Sequence, residues 1–289
     1  MTAMTAPLPI SVGTGTRLLG EVIAWACPGL AVPHTLLVAA LEAAELDPGV
    51  ARELAPRHAF ARACRVLSDR RIIRPVAEDA TTIKFQFTAE SREGDRFEYT
   101  LETMLTLDKQ TGEVACELPG LATLAQEELD RCVAVRTGSD VTRVIQKLFE
   151  RQADLFPIRP QGGTYFTPVR HVEFVDKVQD LLNRVGGRLL RFPVPAGTTE
   201  GDRSVTQAVA DGLAAVVAEH RHAVAQFGAD TRSDTLERAA EKIRSTRFKV
   251  QAYAEYLAGE KAGLDRALQA ASDELRAKVE QLAGEPVLA

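Results

Sequence analysis

The chain has 289 residues, of which 45% are apolar and 26% charged, with a formal net charge of −5. That length suggests roughly two domains with enough buried core to fold without metals or disulfides. The mild acidity excludes a globally basic surface of the kind that announces a nucleic-acid or membrane partner.

The first ten residues carry neither a basic n-region nor an apolar h-region, so they do not read as a signal peptide. The most apolar stretch after them, Leu18 to Leu41, is interrupted by Glu21, Pro28, Pro33 and His34. A membrane span needs about 20 largely unbroken apolar residues. No membrane partner is expected, and the chain reads as cytoplasmic. Cys27, Cys64, Cys116 and Cys132 show no CxxC pair and no close histidine. They read as reduced, partly buried thiols, with a catalytic thiol as the minority alternative.

Residues 34–75 have the pattern of helices. Leu37, Leu41 and Ala44 recur at helical spacing until Asp47-Pro48-Gly49, and Pro56 opens a helix to about Arg70 with Phe60, Ala63, Cys64 and Leu67 inside. From 81 to 118 the period becomes two. Ile83, Phe85 and Phe87 form one run, Phe97, Tyr99, Leu101 and Thr103 a matching one, and two shorter runs follow, which predicts an antiparallel β-meander.

Residues 139–195 predict helix, hairpin, helix and strand. Ser139 caps a helix to about Ala153, and the short apolar runs around Pro160-Gln161-Gly162-Gly163 predict a β-hairpin. Thr167 and Pro168 then start a helix that Gly186-Gly187 ends, before a returning strand over 188–194. Residues 196–203 read as a linker between an α+β body, 1–195, and a long antiparallel, coiled-coil-like helical hairpin, 204–283. Ser204 with Gln207 predicts a capping box for its first helix, and Asp234 with Glu237 caps a second helix running to about Leu282.

That second helix carries the sharpest pattern. Leu236, Ile243, Val250, Leu257 and Leu264 recur every seventh residue, and Leu268, Leu275 and Leu282 continue after a four-residue shift. A sustained heptad seam needs a covering helix. The preceding helix is only about half as long, so the distal seam calls for cover from the N-terminal body or from another chain.

Two basic clusters are candidates for nucleic-acid contact. Residues 52–74 hold seven arginines against two acids. Arg57, Arg62, Arg65, Arg70 and Arg71 are the candidates among them, with His58, Arg62, Arg65 and Asp69 on one helical face. Three short helices before a β-hairpin also have the layout of a winged helix. The competing reading is internal pairing with residues 75–130, where acids outnumber bases 13 to 4. The second cluster is Lys242, Arg244, Arg247 and Lys249 beside Phe248, Tyr253 and Tyr256, suited to a single strand or simply a solvated helix face.

No cofactor and no metal site is predicted. His220 and His222 are two apart and diverge on a helix. Gly162-Gly163 lacks the following Lys-Ser/Thr of a phosphate loop, and there is no GxSxG or HExxH.

Pro160-Gln161-Gly162-Gly163-Thr164-Tyr165-Phe166-Thr167-Pro168, before an apolar-periodic helix, resembles a GG-hydrophobe-YF-x-P element of uncharacterised bacterial proteins, including phage and mobile-element ones. The resemblance implies a turn, an aromatic strand and a Pro-started helix, and no activity. Three functions remain. The leading one is a non-enzymatic interaction or scaffold protein whose hairpin binds a protein partner or a second copy of itself. The alternative is a nucleic-acid-binding accessory protein using the Arg57–Arg74 segment. The third is an enzyme whose site residues are not contiguous.

Overall fold

The computed structural model describes residues 17–68, 71–93, 96–159, 161–228, 230–257 and 259–284. In chain order, β1 (Leu18–Ala26) and β2 (Ala31–Pro33) precede α1 (His34–Ala43), a 3-10 turn at Pro48–Val50 and α2 (Pro56–Val66). Next come β3 (Arg71–Glu78), β4 (Thr82–Glu93), β5 (Arg96–Asp108) and β6 (Val114–Ala115). They lead to α3 (Pro119–Ala134), β7 (Val135–Thr137) and α4 (Gly138–Gln152). A hairpin of β8 (Phe156–Pro157) and β9 (Tyr165–Pro168) is followed by a 3-10 turn, α5 (Val172–Val185) and β10 (Arg188–Pro195). The chain closes with α6 (Thr199–Ala225), α7 (Ser233–Ala252), the one-turn α8 (Ala254–Leu257) and α9 (Lys261–Gly284). The fold is α+β with long C-terminal helices.

Two compact units share the chain, and neither follows chain order. One takes residues up to Trp25, Phe149–Asp176 and Leu189 onward; the other takes Ala26–Leu148 and Lys177–Arg188.

The second of these units contains the meander, in the order β3-β4-β5-β6. One face is covered by α2 and α3: Phe60, Ala63 and Cys64 pack with Phe85, Phe87, Leu105, Leu107 and Leu129. The structure corrects the expected helix over 71–75, because that segment is β3, pairing Ile73 with Phe87. It also adds α3, whose apolar periodicity is weak because it buries little beyond Ala125 and Leu129.

The run Phe97-Tyr99-Leu101-Thr103 does not share one face. A register shift pairs Phe87 with Thr103 but Thr88 with Leu101, so beyond it β5's apolar positions stand opposite Thr88, Glu90 and Arg92. One extra residue reverses which side of a strand faces the core. Thr103 is buried, whereas Phe97, Tyr99 and Leu101 are each more than half exposed (52%, 57% and 57%).

The first unit joins a four-stranded sheet, β10-β1-β9-β8, to the C-terminal helices. The expected hairpin is present: Phe156 pairs with Phe166, and Gly162 and Gly163 turn the chain at φ 70° and 82°, the left-handed region glycine favours. Phe166 is fully buried and Tyr165 stacks on Trp25 at 5.1 Å, which gives the GG-hydrophobe-YF element a structural role. Thr167 is not a helix cap. It lies buried in β9 opposite Glu21, and the helix begins five residues later. β1 escapes detection in the sequence because Glu21, which interrupts its apolar run, is buried in a fork from Arg191 (2.7 and 2.9 Å).

β1 and β9 approach so closely at Gly20 that a Cβ there would lie 2.1 Å from the Thr167 carbonyl oxygen. Gly20→Ala is therefore expected to destabilise the protein by about 2–3 kcal/mol in urea unfolding, through overpacking against backbone that cannot yield.

The C-terminal segment departs most from expectation. α6 begins at Thr199, inside the expected linker, so Ser204 lies within the helix and caps nothing. The helix expected from Asp234 to Leu282 is interrupted after Ala252 and again after Leu257, and α9 turns back to pack against both α6 and α7. Arg247 Nη2 lies 3.1 Å from Gln269 Oε1 and 3.2 Å from Ser272 Oγ. In a continuous helix those groups would stand roughly 35 Å apart.

The interruption coincides with two tyrosines drawn into the unit's interior. Tyr253 packs edge-on against Phe156 at 5.1 Å, and Tyr256 Oη donates to the Leu19 carbonyl at 3.0 Å. Glu260 N–H then closes the turn on the Leu257 carbonyl. The result is a three-helix arrangement rather than a two-helix hairpin.

Candidate functional site

The seam residues Ile243, Val250, Leu257, Leu264, Leu268 and Leu275 are all buried, and Leu236 is half-buried. The Leu282 side chain lies outside the described residues. The chain's own three helices cover the seam's centre, which removes the expected need for a second chain there. At the far end α7 and α9 leave a groove of about 730 Å³. Leu236, Ala240, Ile243, Leu275 and Val279 line it, with Val279 41% exposed. Arg244, Arg247 and Arg276 alternate around it with Glu237 and Glu280.

A second site centres on Asp154, in the loop between α4 and β8. Its Oδ1 accepts from Lys249 Nζ, and its Oδ2 accepts from Tyr253 Oη at 2.5 Å and Arg170 Nη2 at 3.1 Å. His171 Nε2 lies 3.4 Å from the same oxygen, and the Arg170 guanidinium stacks 4.0 Å from the Tyr253 ring centre. Burial pushes the Asp154 carboxyl up, but the bonds from His171, Lys249 and Tyr253 outweigh it and hold the group well below the usual carboxylate range. Burial and the neighbouring Asp154 push the Tyr253 phenol up. Both carboxylate oxygens are therefore occupied by protein donors, an arrangement that holds elements together and leaves no base free for proton transfer.

A cleft of about 380 Å³ adjoins Asp154, lined also by His220, Lys242, Thr246 and Lys249. His220 Nε2 lies 2.8 Å from Thr246 Oγ1, and that hydroxyl donates to the Lys242 carbonyl one turn back. Burial and the Lys242 charge push the imidazole down, so it is neutral at pH 7. Thr246 is 5% exposed and bound to its own helix, which is the setting of a packing contact rather than a nucleophile.

The third site gathers arginines in the other unit. Arg62 forks onto Asp140 (2.8 and 2.6 Å), and Thr137 N–H and O–H both donate to the same carboxylate at 2.9 Å. Burial raises the Asp140 carboxyl, but these bonds outweigh it and hold it at about 2. Arg131 pairs with Glu128 at 2.5 Å. Arg143 reaches only to 3.9 Å from Asp140, and Arg65 is exposed with no ionic partner among the described residues. These four arginines and Ser139 surround a pocket of about 350 Å³. The buried Arg136 donates from Nη1 to the Val133 carbonyl at the end of α3, while its Nε and Nη2 have no hydrogen-bond partner among the described residues.

The basic candidates therefore divide. Arg57 pairs with Glu78 at 3.1 Å and Arg71 forks onto Glu102 (2.5 and 2.8 Å), both partners lying in the acidic 75–130 segment. Arg70 lies outside the described residues, as does Asp69. The middle helix of the winged-helix layout is only the three-residue turn Pro48–Val50. Of the second cluster, Lys242 is exposed, Arg244 pairs with Glu241, Arg247 bridges to α9, and Lys249 is bound to Asp154. Sequence reasoning missed Asp154, whose partners Arg170, Lys249 and Tyr253 come from distant segments, and it missed Arg131 and Arg143, which chain spacing does not place beside Arg62 and Arg65.

Burial pushes the thiols of Cys27 and Cys132 up and that of Cys64 to about 12, which disfavours the reactive thiolate. Among the described residues no three His, Cys, Asp or Glu side chains are placed to hold a metal, and no helix is long and apolar enough to cross a membrane.

A model of a family of unknown function, DUF6744, matches residues 18–286, and the chain belongs to that family. No curated protein and no solved structure matches it.

Proposed function

We propose that this family member is a non-enzymatic, cytoplasmic interaction protein that takes the apolar face of a partner's helix into the groove between α7 and α9. The observation that carries the reading is that groove. Its volume of about 730 Å³ falls in the range of binding clefts, and its apolar floor is rimmed by charges of both signs. An amphipathic helix docks in such a groove through residues spaced i, i+3 or i+4, and i+7. Both oxygens of Asp154, the acid that lines the cleft beside His220, are engaged by protein donors, which further favours binding over catalysis. A setting in phage or mobile-element biology belongs to this reading through the GG-hydrophobe-YF element alone.

Selection of helical peptides from a displayed library tests the proposal. Enriched peptides should carry the i, i+3/i+4, i+7 apolar pattern and lose at least tenfold in affinity against Leu236→Glu with Val279→Glu. Peptides that bind both proteins equally would defeat it. Light scattering identifies a second copy as the occupant if the wild type dimerises and the double variant does not.

A further inference from the structure

We infer that the pocket between α2 and the α3–β7–α4 turn binds a phosphate group. Four guanidinium groups, Arg62, Arg65, Arg131 and Arg143, converge on one cavity of about 350 Å³. The carboxylates neutralise only part of that charge. Asp140 is taken up by Arg62 and Thr137, and Glu128 by Arg131. Arg65 and Arg143 remain as excess positive charge, with Arg143 no nearer than 3.9 Å to Asp140.

The surrounding backbone has the same polarity. Gly138–Gln152 is a 15-residue helix whose first turn, at Ser139, opens on this pocket, so its positive dipole end adds to the arginines. Arg136, 4% exposed and with two guanidinium nitrogens unpartnered among the described residues, adds a fixed positive charge felt by Arg62 and Asp140, with Glu53 as an opposing charge. Like charges gathered this closely repel unless an anion joins them. The guanidinium fork fits phosphate oxygens two at a time, and the Ser139 hydroxyl supplies another donor. The pocket has room for a phosphate and part of the group that carries it.

The phosphate could belong to a free nucleotide or to a nucleic-acid backbone, and two probes separate them. Calorimetry with ATP, without metal, and fluorescence anisotropy with a labelled 20-nucleotide single strand are measured on the full chain at low salt. Binding of at least one probe is expected. It should weaken at least tenfold in Arg65→Glu with Arg143→Glu, exposed positions that leave the fold intact by circular dichroism. Arg65→Lys with Arg143→Lys should recover only part of the loss, because lysine supplies charge without the fork. Affinity for ATP matching that for the strand assigns the site to a small phosphate ligand. Tighter strand binding that falls steeply with salt assigns it to a nucleic-acid backbone. Absence of binding by both probes at millimolar concentration, or binding that the glutamate pair leaves unchanged, overturns the inference.

Discussion

Replacing Asp154 with alanine is expected to lower stability by about 2–4 kcal/mol, a loss typical of breaking a buried charged network from one side. The contributions are unequal. Lys249 and Arg170 keep 43% and 44% of their side chains exposed, so water screens much of what they gain from the carboxylate. Tyr253 is fully buried, and its hydroxyl would lose its 2.5 Å acceptor and keep His171, at 3.2 Å, beside it. The larger share of the loss is therefore the desolvated phenol. Because the Asp154 carboxyl is held below its unfolded value of about 3.9, its contribution is complete at neutral pH. It is lost as pH falls below about 4 toward the lower folded value. Urea titrations from pH 7 to pH 2 should show a steeper fall in the wild type than in Asp154→Asn. A loss under about 0.5 kcal/mol at pH 7, or parallel pH profiles, would show that the network is not closed in solution.

The parts of the fold visible in the sequence are those set by short-range periodicity. The alternation of Ile83, Phe85 and Phe87 reports a sheet with one face on helices, and the Gly162-Gly163 pair reports a hairpin, because each pattern is decided within a few residues. β1 was hidden by Glu21, whose partner Arg191 lies 170 residues away and makes a buried carboxylate tolerable. The candidate sites divide the same way. Arg62 and Arg65 stood out as an arginine cluster, but that Arg62 is engaged depends on Asp140, which another helix supplies. Asp154 gave no signal, since its partners come from two other segments of the chain.

The heptad seam shows how a correct pattern can support more than one backbone path. Leu257 and Leu264 keep seven-residue spacing across a turn, because helices on both sides bury the same kind of face on α6. Spacing reports which residues are covered and is silent on whether the backbone between them is straight.

Leu268 separates the two paths. In a continuous helix it would lie beyond the reach of α6, and without other cover a charge there would cost the isolated chain little. In this fold it is fully buried in the same apolar cluster as residues of α6 and α7. Leu268→Asp combines a lost apolar side chain with a carboxyl that has no partner there, so it should cost more than about 4 kcal/mol. Val279→Asp, at a 41% exposed position on the same helix, should cost less than about 0.5 kcal/mol. Chemical denaturation of both variants provides the check, and near-equal stabilities would restore the extended hairpin. The same contrast is expected along α9, where the Val279 end should accept a charge without unfolding and the Leu268 segment should not.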